Sequence, residues 1–286
     1  MDLPLDLRNK AMAKTIAVIL PVYKKDKTEY LNKSVDSILC QTYEDSHLFI
    51  GVDGPVCDDL KTYLKTIGLK QNVSILWFEE NRGLACVLND LLDVCFKEGF
   101  EYIARMDADD ISIPERFSKQ MAYLEKHPEI DVVGGAINEI DEEGKNRGKT
   151  IVYPETPSEC RAFFSKRNPH AHPAVLFRKS FFGKLNGKKY RPEYRQNQDT
   201  MLWYDGMMAG TQHANIPDVV LNFRMTNAMF KKRRNGWAFA KKQFKDRRMI
   251  NKGLGYGFKA DVYGFAMFCM LVSPVWVKKI AYKVFR

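Results

Sequence analysis

Short apolar runs and segments with helical periodicity alternate through the first 140 residues, and this alternation constrains the fold more than any other feature. Residues 15–23 form a near-continuous apolar run, typical of a strand buried on both faces of a parallel sheet. Leu31, Val35 and Ile38 then share one helical face. The same pattern predicts further strands at 47–53, 73–78, 102–106 and 131–140, with helices near 58–67 and 83–96 and from Pro114 onward. We therefore predict an α/β fold with a Rossmann-like, mostly parallel sheet flanked by helices.

Polar and charged side chains follow four successive predicted strands. Ligands in such sheets bind at the carboxyl ends of the strands, so the residues at these positions are candidates for a binding site. They are Pro21 and Tyr23 after the first strand, Asp53 after the second, Asn81, Arg82 and Gly83 after the third, and Asp107, Asp109 and Asp110 after the fourth.

The acidic run at 107–110 is the sharpest of these signals. Three carboxylates within four residues repel one another unless a cation is present. Mg²⁺ and Mn²⁺ prefer carboxylate oxygen and keep positions open for phosphate oxygens, so a metal here could neutralise a leaving diphosphate. We predict a divalent metal site, Mn²⁺ or Mg²⁺, at Asp107 and Asp109. The alternative is a solvated acidic turn that caps the next helix.

Asp53 and the segment 81–83 each have two interpretations. Asp53 could accept a hydrogen bond from the imino group of a nucleotide base, or it could be a helix cap, since Asp-Gly at a strand end is common turn chemistry. Asn81, Arg82 and Gly83 open a predicted helix, whose N-terminus favours an anion. The alternative there is a plain Asn cap beside a surface Arg.

The positive charge of the chain is concentrated at its C-terminal end. Residues 224–286 hold 16 Lys and Arg against 2 acids, whereas the preceding residues hold 29 against 33. Basic clusters at 231–234, 241–242 and 247–248 precede an apolar run at 262–277, which is too short to span a bilayer comfortably. This arrangement predicts helices that lie on an anionic membrane surface. The alternative is a soluble helical cap with a solvated basic face.

The N-terminal segment and the cysteines indicate the cellular compartment. The N-terminal segment 1–14 has early acids and no apolar core, so it does not resemble a signal peptide. The six cysteines form no C-x-x-C pair, which indicates a reducing compartment and no structural zinc.

In their order and spacing, these motifs resemble the family 2 glycosyltransferases with a GT-A fold. The matching segments are ILPVY at 19–23, VDG at 52–54, NRGLACVLN at 81–89, ARMDADD at 104–110, HPAVLFRKS at 172–180, QDTMLWYDGMMAG at 198–210 and PDVVLNFR at 217–224. The resemblance covers residues 15 to about 225 and is nearest to bacterial enzymes that build surface polysaccharides. It implies a GT-A domain at 1–225, and the charge pattern described above predicts a basic helical extension at 226–286.

The resemblance also implies roles for individual residues. Pro21, Tyr23 and Asp53 would cradle the nucleotide base, usually uracil, while Asn81, Arg82 and Gly83 would border the donor. Asp107 and Asp109 would be the D-x-D pair, with Asp109 nearest the metal. Asp199 stands where the family carries its catalytic base, although Gln198 replaces the usual Glu before it. His172 would lie near the diphosphate or the acceptor. Asp199 could also cap the following helix, and His172 could be a packed loop residue.

These roles imply an inverting, metal-dependent transferase. It would move a hexose or N-acetylhexosamine from a UDP-sugar to a hydroxyl of a saccharide carried on undecaprenyl diphosphate, in polysaccharide or O-antigen biosynthesis. One carboxylate would take the acceptor proton as the anomeric carbon is attacked in line. We expect the protein at the cytoplasmic face of the bacterial inner membrane, held peripherally by its tail, with no nucleic-acid partner.

Three other functions would each account for part of the sequence. A nucleotidyltransferase that makes nucleotide sugars would carry a Gly-rich, Arg-containing loop after the first strand, but residues 21–25 contain no glycine. A nucleic-acid-binding protein would use the basic tail, which leaves the acidic strand ends unexplained. An inactive scaffold of the same family is suggested only by Gln198, and Asp199 remains beside it.

Overall fold

A computed structural model describes residues 14–226 and 237–273 of the chain. Within these ranges the strands are β1 Ile16–Tyr23, β2 Ser46–Asp53, β3 Val73–Phe78, β4 Tyr102–Arg105, β5 Ile111–Ser112, β6 Val132–Ile140, β7 Asn146–Ile151, β8 Leu176–Arg178 and β9 His213–Arg224. The helices are α1 Thr28–Leu39, α2 Asp58–Ile67, α3 Leu84–Lys97, α4 Arg116–Lys126, α5 Pro157–Phe164, α6 Lys179–Lys184, α7 Gln198–Met208, α8 Trp237–Leu254 and α9 Phe258–Val272, with a short 3₁₀ helix at His172–Ala174.

The strands form one sheet in the order β3-β2-β1-β4-β8-β6-β9-β5, and β7 pairs with β6. β1 to β4 are mutually parallel. β8 runs antiparallel to both β4 and β6, so β6 and its parallel neighbour β9 point the same way as β1. The predicted α/β fold with a mostly parallel sheet is confirmed. The strands that run the other way, β5, β7 and β8, were not predicted.

Alternate residues of β1 enter two separate cores, because successive side chains of a strand point to opposite faces. Ile16 and Val18 pack in the layer that holds α1 and α2. Ala17 and Ile19 pack in the layer that holds α3 and α7. This explains why β1 has an apolar side chain at almost every position, and why the sheet needs helices on both sides.

The C-terminal helices α8 and α9 form an antiparallel hairpin. The ring of Trp237 contacts that of Phe268, while Asn251 near the other end of α8 donates to Asp261 of α9. In the part of the chain that the structure describes, no helix has the length and apolar character needed to cross a membrane. The predicted basic cluster at 231–234 and the end of the predicted apolar run, at 274–277, lie outside the described residues.

Candidate active site

The carboxyl ends of β1, β2 and β4 bring most of the predicted residues to one edge of the sheet. Tyr23 and Asp53 are register partners at the ends of β1 and β2. Because β8 runs antiparallel to β4, the residues before β8 lie at the same edge, and the Arg105 N–H donates to the carbonyl of Val175 at 3.1 Å. The edge therefore gathers Asp53, the acidic run after β4 and the turn that contains His172.

Asp53 holds the loop that precedes α3. Its buried carboxylate accepts hydrogen bonds from the backbone N–H of Arg82 at 2.8 Å and of Gly83 at 2.9 Å. The Asn81 side chain donates to the Asp53 carbonyl at 3.1 Å. The sequence predicted an anion at this helix start, and the anion found there is the carboxylate of Asp53 itself. The helix-capping interpretation of Asp53 therefore describes these contacts, at the start of α3, and its predicted contact with a nucleotide base stays a prediction.

The loop at 81–83 is covered by a second basic residue. Gly83 has a φ of +94°, a conformation that side chains with a Cβ rarely adopt. A Cβ at this position would also collide with the guanidinium of Arg195, which reaches over from the loop before α7. Arg82 stacks on Phe78, with its guanidinium carbon 4.6 Å from the ring centre. Two guanidinium groups thus lie beside the entrance to α3.

Pro21 and Tyr23 lie half-buried at the end of β1. The backbone N–H of Tyr23 donates to Asp26 at 2.8 Å, which fixes the turn into α1. Their position next to the end of β2 is the one that the resemblance gives to a base-binding pair.

Asp107, Asp109 and Asp110 converge, with carboxylate oxygens within 4.8 Å of one another. Burial and the charge of Asp107 raise the pKa of Asp109 to about 6. Burial and the charge of Asp109 raise the pKa of Asp110 well above its usual value. One oxygen of Asp110, Oδ2, is buried without a hydrogen-bond partner among the described residues. Crowded carboxylates with an orphaned oxygen fit a divalent cation, and Asp110 is a third candidate ligand beside the predicted pair.

Arg105 is the internal counter-ion of this triad. Its side chain is only 2% exposed and pairs with the carboxylate of Asp107. Within the described part of the chain, its Nε and Nη1 have no hydrogen-bond partner. The Arg105 charge also opposes the rise in the pKa of Asp109. An Arg inside an otherwise apolar strand, two residues before an acidic run, is the sequence signal that could have identified this role.

Arg224, at the end of β9, fixes the backbone of the acidic run. Its N–H donates to Asp110 Oδ1 at 2.8 Å, and its Nε donates to the carbonyl of Asp109 at 2.7 Å. Its guanidinium lies 4.4 Å from the ring centre of Tyr30. Arg224 and Asp110 are 114 residues apart in the chain, so only the pairing of β9 with β5 and β6 brings them together.

Asp199 lies in the first turn of α7 and is held by Asn168. The Nδ2 of Asn168 donates to Asp199 Oδ2 at 2.9 Å, and Thr200 Oγ1 donates to Asn168 Oδ1 at 3.1 Å. Burial raises the pKa of Tyr190; the charge of Arg105 opposes this rise, and the charges of Asp199 and Asp107 add to it. Tyr190 therefore lies within electrostatic reach of both carboxylates.

Tyr190 also links helix α3 to the turn that contains His172. Its backbone is fixed by two hydrogen bonds with Asn89 of α3. The Tyr190 N–H donates to the Asn89 side-chain oxygen at 2.9 Å, and the Asn89 side-chain nitrogen donates to the Tyr190 carbonyl at 2.8 Å. Its hydroxyl lies 2.7 Å from Nε2 of buried His172. Burial, and then the charges of Arg105 and His170, lower the pKa of His172 well below its usual value. His172 is thus a neutral, packed residue whose ring contacts Tyr190, and its predicted place near the diphosphate or the acceptor stays a prediction.

A buried hydrogen-bond chain anchors the segment that carries Asn168 and His172. The amide nitrogen of Asn215 donates to two backbone carbonyls, so its oxygen accepts from Nδ1 of His170 at 2.9 Å. Nε2 of neutral His170 then accepts from Nδ1 of His213 at 3.0 Å, and Nε2 of His213 accepts from Thr211 at 2.9 Å. Burial lowers the pKa of His170 to about 4. The sequence analysis did not identify this chain.

Comparisons with known proteins agree with this geometry. The family described as "Glycosyl transferase family 2" matches residues 17–185. The amylovoran biosynthesis glycosyltransferase AmsE of Erwinia amylovora is 34% identical over 268 residues, which are 93% of this chain and 97% of the relative. An Escherichia coli UDP-Gal:alpha-D-GlcNAc-diphosphoundecaprenol beta-1,3-galactosyltransferase is 26% identical over 80% of each chain.

Solved structures support the fold. The crystal structure of S. aureus TarS 1–349 in complex with UDP-GlcNAc superposes with a TM-score of 0.65 at 14% identity, over 90% of this chain and 71% of that one. The sheet topology and this likeness identify the fold as GT-A. With the family match and the AmsE relationship, they show that the chain belongs to glycosyl transferase family 2.

Proposed function

We propose that this glycosyltransferase is inverting and depends on a divalent metal, and that it transfers a hexose or N-acetylhexosamine from a UDP-sugar. The observation that carries the proposal is the convergence of the Asp107, Asp109 and Asp110 carboxylates within 4.8 Å, at the sheet edge that also holds Asp53. A group of this kind suits a Mn²⁺ or Mg²⁺ ion that binds a diphosphate.

In this proposal the donor lies across the ends of β1, β2 and β4. Pro21, Tyr23 and Asp53 would contact the base, and Arg82 and Arg195 would face the phosphates near the start of α3. Asp107, Asp109 and Asp110 would hold the metal. When bound, the metal supplies charge neutralisation for the departing diphosphate.

Asp199 would act as the general base. Its carboxylate would take the proton of the acceptor hydroxyl as that oxygen forms a bond to the anomeric carbon. The bond from the anomeric carbon to the UDP oxygen breaks on the opposite side, and UDP leaves with the electron pair. The configuration at the anomeric carbon is inverted. Asn168 would orient the Asp199 carboxylate through the hydrogen bond described above.

The relatives support the choice of substrates. TarS was solved with UDP-GlcNAc, and the E. coli relative is named for UDP-Gal and a diphosphoundecaprenol acceptor. AmsE is named for amylovoran biosynthesis. By analogy, the acceptor of this chain would be a saccharide on a lipid diphosphate, in the biosynthesis of a surface polysaccharide or O-antigen.

Localisation follows from the acceptor. A lipid-linked acceptor would place the protein peripherally at the cytoplasmic face of the inner membrane, with residues 1–225 as the catalytic domain and 226–286 as the membrane-associated extension. Exposed basic residues of α8 support this division. No nucleic-acid partner is proposed, because the acidic strand ends would serve no purpose in such a protein.

A donor screen tests the proposal. Purified protein is incubated with Mn²⁺ or Mg²⁺ and a panel of UDP-hexoses and UDP-N-acetylhexosamines, with and without lipid-linked acceptors, and UDP release is measured. We expect UDP release that requires metal and is stimulated by one acceptor class. Formation of UDP-sugar from UTP and a sugar phosphate would favour a nucleotidyltransferase instead.

A further inference from the structure

Helix α9 carries an apolar stripe on its exposed face. Phe258, Val262, Phe265, Cys269 and Val272 recur every three or four residues and therefore lie along one side of the helix. Phe258 is 80% exposed, and Phe265 is 56% exposed. We name these five residues the apolar stripe. The buried residues of α9 lie on its other side, where Gly264 approaches the side chain of Arg247.

Helix α8 carries a basic stripe of the same kind. Lys241, Lys245, Arg248 and Lys252 recur at intervals of four, three and four residues, and all four are exposed. The acid of this helix, Asp246, is buried and accepts from the Tyr194 hydroxyl at 3.1 Å. The basic stripe therefore presents positive charge that no acid of α8 offsets at the surface.

The two stripes lie on the same side of the hairpin. In α8, the buried residues Ala240, Ile250 and Leu254 lie on the opposite side from the basic stripe. In α9, the buried residues Ala260 and Gly264 lie opposite the apolar stripe. Helix α8 turns its buried side to the domain, and the contacts of Trp237 with Phe268 and of Asn251 with Asp261 flank both stripes. We therefore place both stripes on the side of the hairpin that faces away from the domain. The result is one surface with an apolar half and a cationic half.

We propose that this surface docks on a bilayer that contains anionic lipid. Apolar side chains would enter the acyl boundary while the basic stripe meets the headgroups. Helix α9 has 15 residues and is about 22 Å long, shorter than the ~30 Å hydrocarbon core, so it suits lying in the interface. A second copy of the chain is a poorer occupant, because self-pairing would bring the two basic stripes close together.

Docking through this surface would orient the active site. The hairpin is fixed to the elements around Asp199: Lys242 lies 4.2 Å from the ring centre of Tyr194, and Gly253 packs against Tyr204 of α7. Helix α7 carries the proposed base in its first turn. The height of Asp199 above the bilayer is then set by a rigid contact, which suits a lipid-linked acceptor. This last step rests on the proposed function, whereas the docking itself does not.

Vesicle co-sedimentation of the full-length protein tests the docking. The vesicles are phosphatidylcholine alone or phosphatidylcholine with about 30% phosphatidylglycerol, which gives a strongly negative surface. The charge variant is K241E/K245E/R248E/K252E. Its matched control is K61E/K65E/K70E/K126E, which changes the net charge equally at exposed lysines in the opposite helical layer. We expect at least tenfold weaker binding to the anionic vesicles for the charge variant only.

The apolar half has its own pair of variants. F258S/V262S removes two exposed side chains of the stripe, and L69S/V152S removes two exposed apolar side chains elsewhere. We expect the first to weaken vesicle binding and the second to leave it unchanged, with all variants retaining the circular dichroism of the parent. Binding that the hairpin variants leave intact would overturn the proposal. So would a dimer in sedimentation velocity that F258S/V262S dissociates without any effect on vesicle binding.

Activity separates this inference from the proposed function. Transfer to a water-soluble acceptor analogue should be the same in the charge variant and its control, whereas transfer to acceptor in anionic vesicles should fall at least tenfold in the charge variant alone. Loss of both activities would mean that the stripe acts through the catalytic domain and would overturn the docking role. Absence of any transferase activity in the parent would contradict the proposed function but leave the vesicle-binding result to stand.

Discussion

The side-chain nitrogen of Asn168 lies 2.9 Å from Oδ2 of Asp199, and this hydrogen bond ties the proposed base to the segment that also carries His172. Asn168 is in turn fixed by Thr200, and its neighbours are fixed by the buried chain from Thr211 to Asn215. The orientation of one carboxylate therefore depends on residues from three separate parts of the sequence.

Removal of the Asn168 amide should slow transfer without weakening donor binding. Because a misoriented base costs rate, we expect Asn168→Ala to lower kcat by about 10- to 100-fold with the KM for the donor nearly unchanged. Steady-state kinetics at saturating metal measure both constants. A rise in donor KM with an unaltered kcat would show that Asn168 serves donor binding instead.

Asn168→Asp gives a sharper signature, because it places a second carboxylate beside Asp199. Two like charges at this distance raise the pKa of one member of the pair. The acid limb of the pH–rate profile should therefore move to higher pH, with activity recovering as the pH rises. A profile that keeps its midpoint would contradict the contact between these residues.

The Asp110→Asn substitution should raise stability without metal and reduce the stabilisation that metal provides. In EDTA, Asp110→Asn removes one buried like charge while keeping the acceptor for the Arg224 N–H, so we expect Tm to rise by about 2–4 °C. Excess Mn²⁺ should raise the Tm of the parent, because a ligand that binds only the folded state stabilises it. The Mn²⁺ shift should be smaller in the variant. Equal shifts would remove Asp110 from the metal site.

Arg105 should be far more important to stability than an exposed arginine. Arg105→Met leaves the triad without its buried counter-ion, and we expect a loss of about 3–5 kcal/mol in the free energy of unfolding in EDTA. Arg82→Met, which breaks a pair at the surface with Asp90, should cost less than about 1 kcal/mol. Urea unfolding measures both. Similar losses in the two variants would show that Arg105 is not the counter-ion.

The buried histidines predict a pH-dependent stability. The pKa of His170 is about 4 in the folded protein, below the usual 6.5. As the pH falls, His170 is therefore protonated in the unfolded state before it is protonated in the folded state. The stabilisation is complete above pH 6.5 and is lost as the pH falls toward 4, at about 1.4 kcal/mol per pH unit for this group. Urea unfolding between pH 7 and pH 4.5 should show a shallower dependence in His170→Gln, by about one proton. An unchanged slope would mean that His170 is already protonated in the folded state.

Much of the fold follows from local patterns in the sequence, and the remainder depends on long-range pairing. Residues 15–23 are apolar at almost every position because β1 is buried on both faces, so this strand and the acidic turn after β4 could be predicted. β8 has only three residues, too few for any periodicity, and its antiparallel pairing explains why the turn with His172 lies at the same sheet edge as Asp53.

The predicted site was incomplete for the same reason. Arg224 and Asp110 meet only because β9 crosses to the far side of the sheet, and no local pattern encodes that contact. Asn168 carries no motif of its own. Asp53 was predicted to accept from a base or to cap a helix, and its contacts with the N–H groups of Arg82 and Gly83 agree with the second role without testing the first.

The stereochemistry of the product tests the central claim most directly. With an α-linked UDP-sugar donor, Mn²⁺ and a lipid-linked acceptor, NMR of the product should show a β linkage, and Asp199→Asn should give no product while still binding UDP in calorimetry. An α-linked product, or transfer at the parent rate by Asp199→Asn, would contradict inversion by a single carboxylate base.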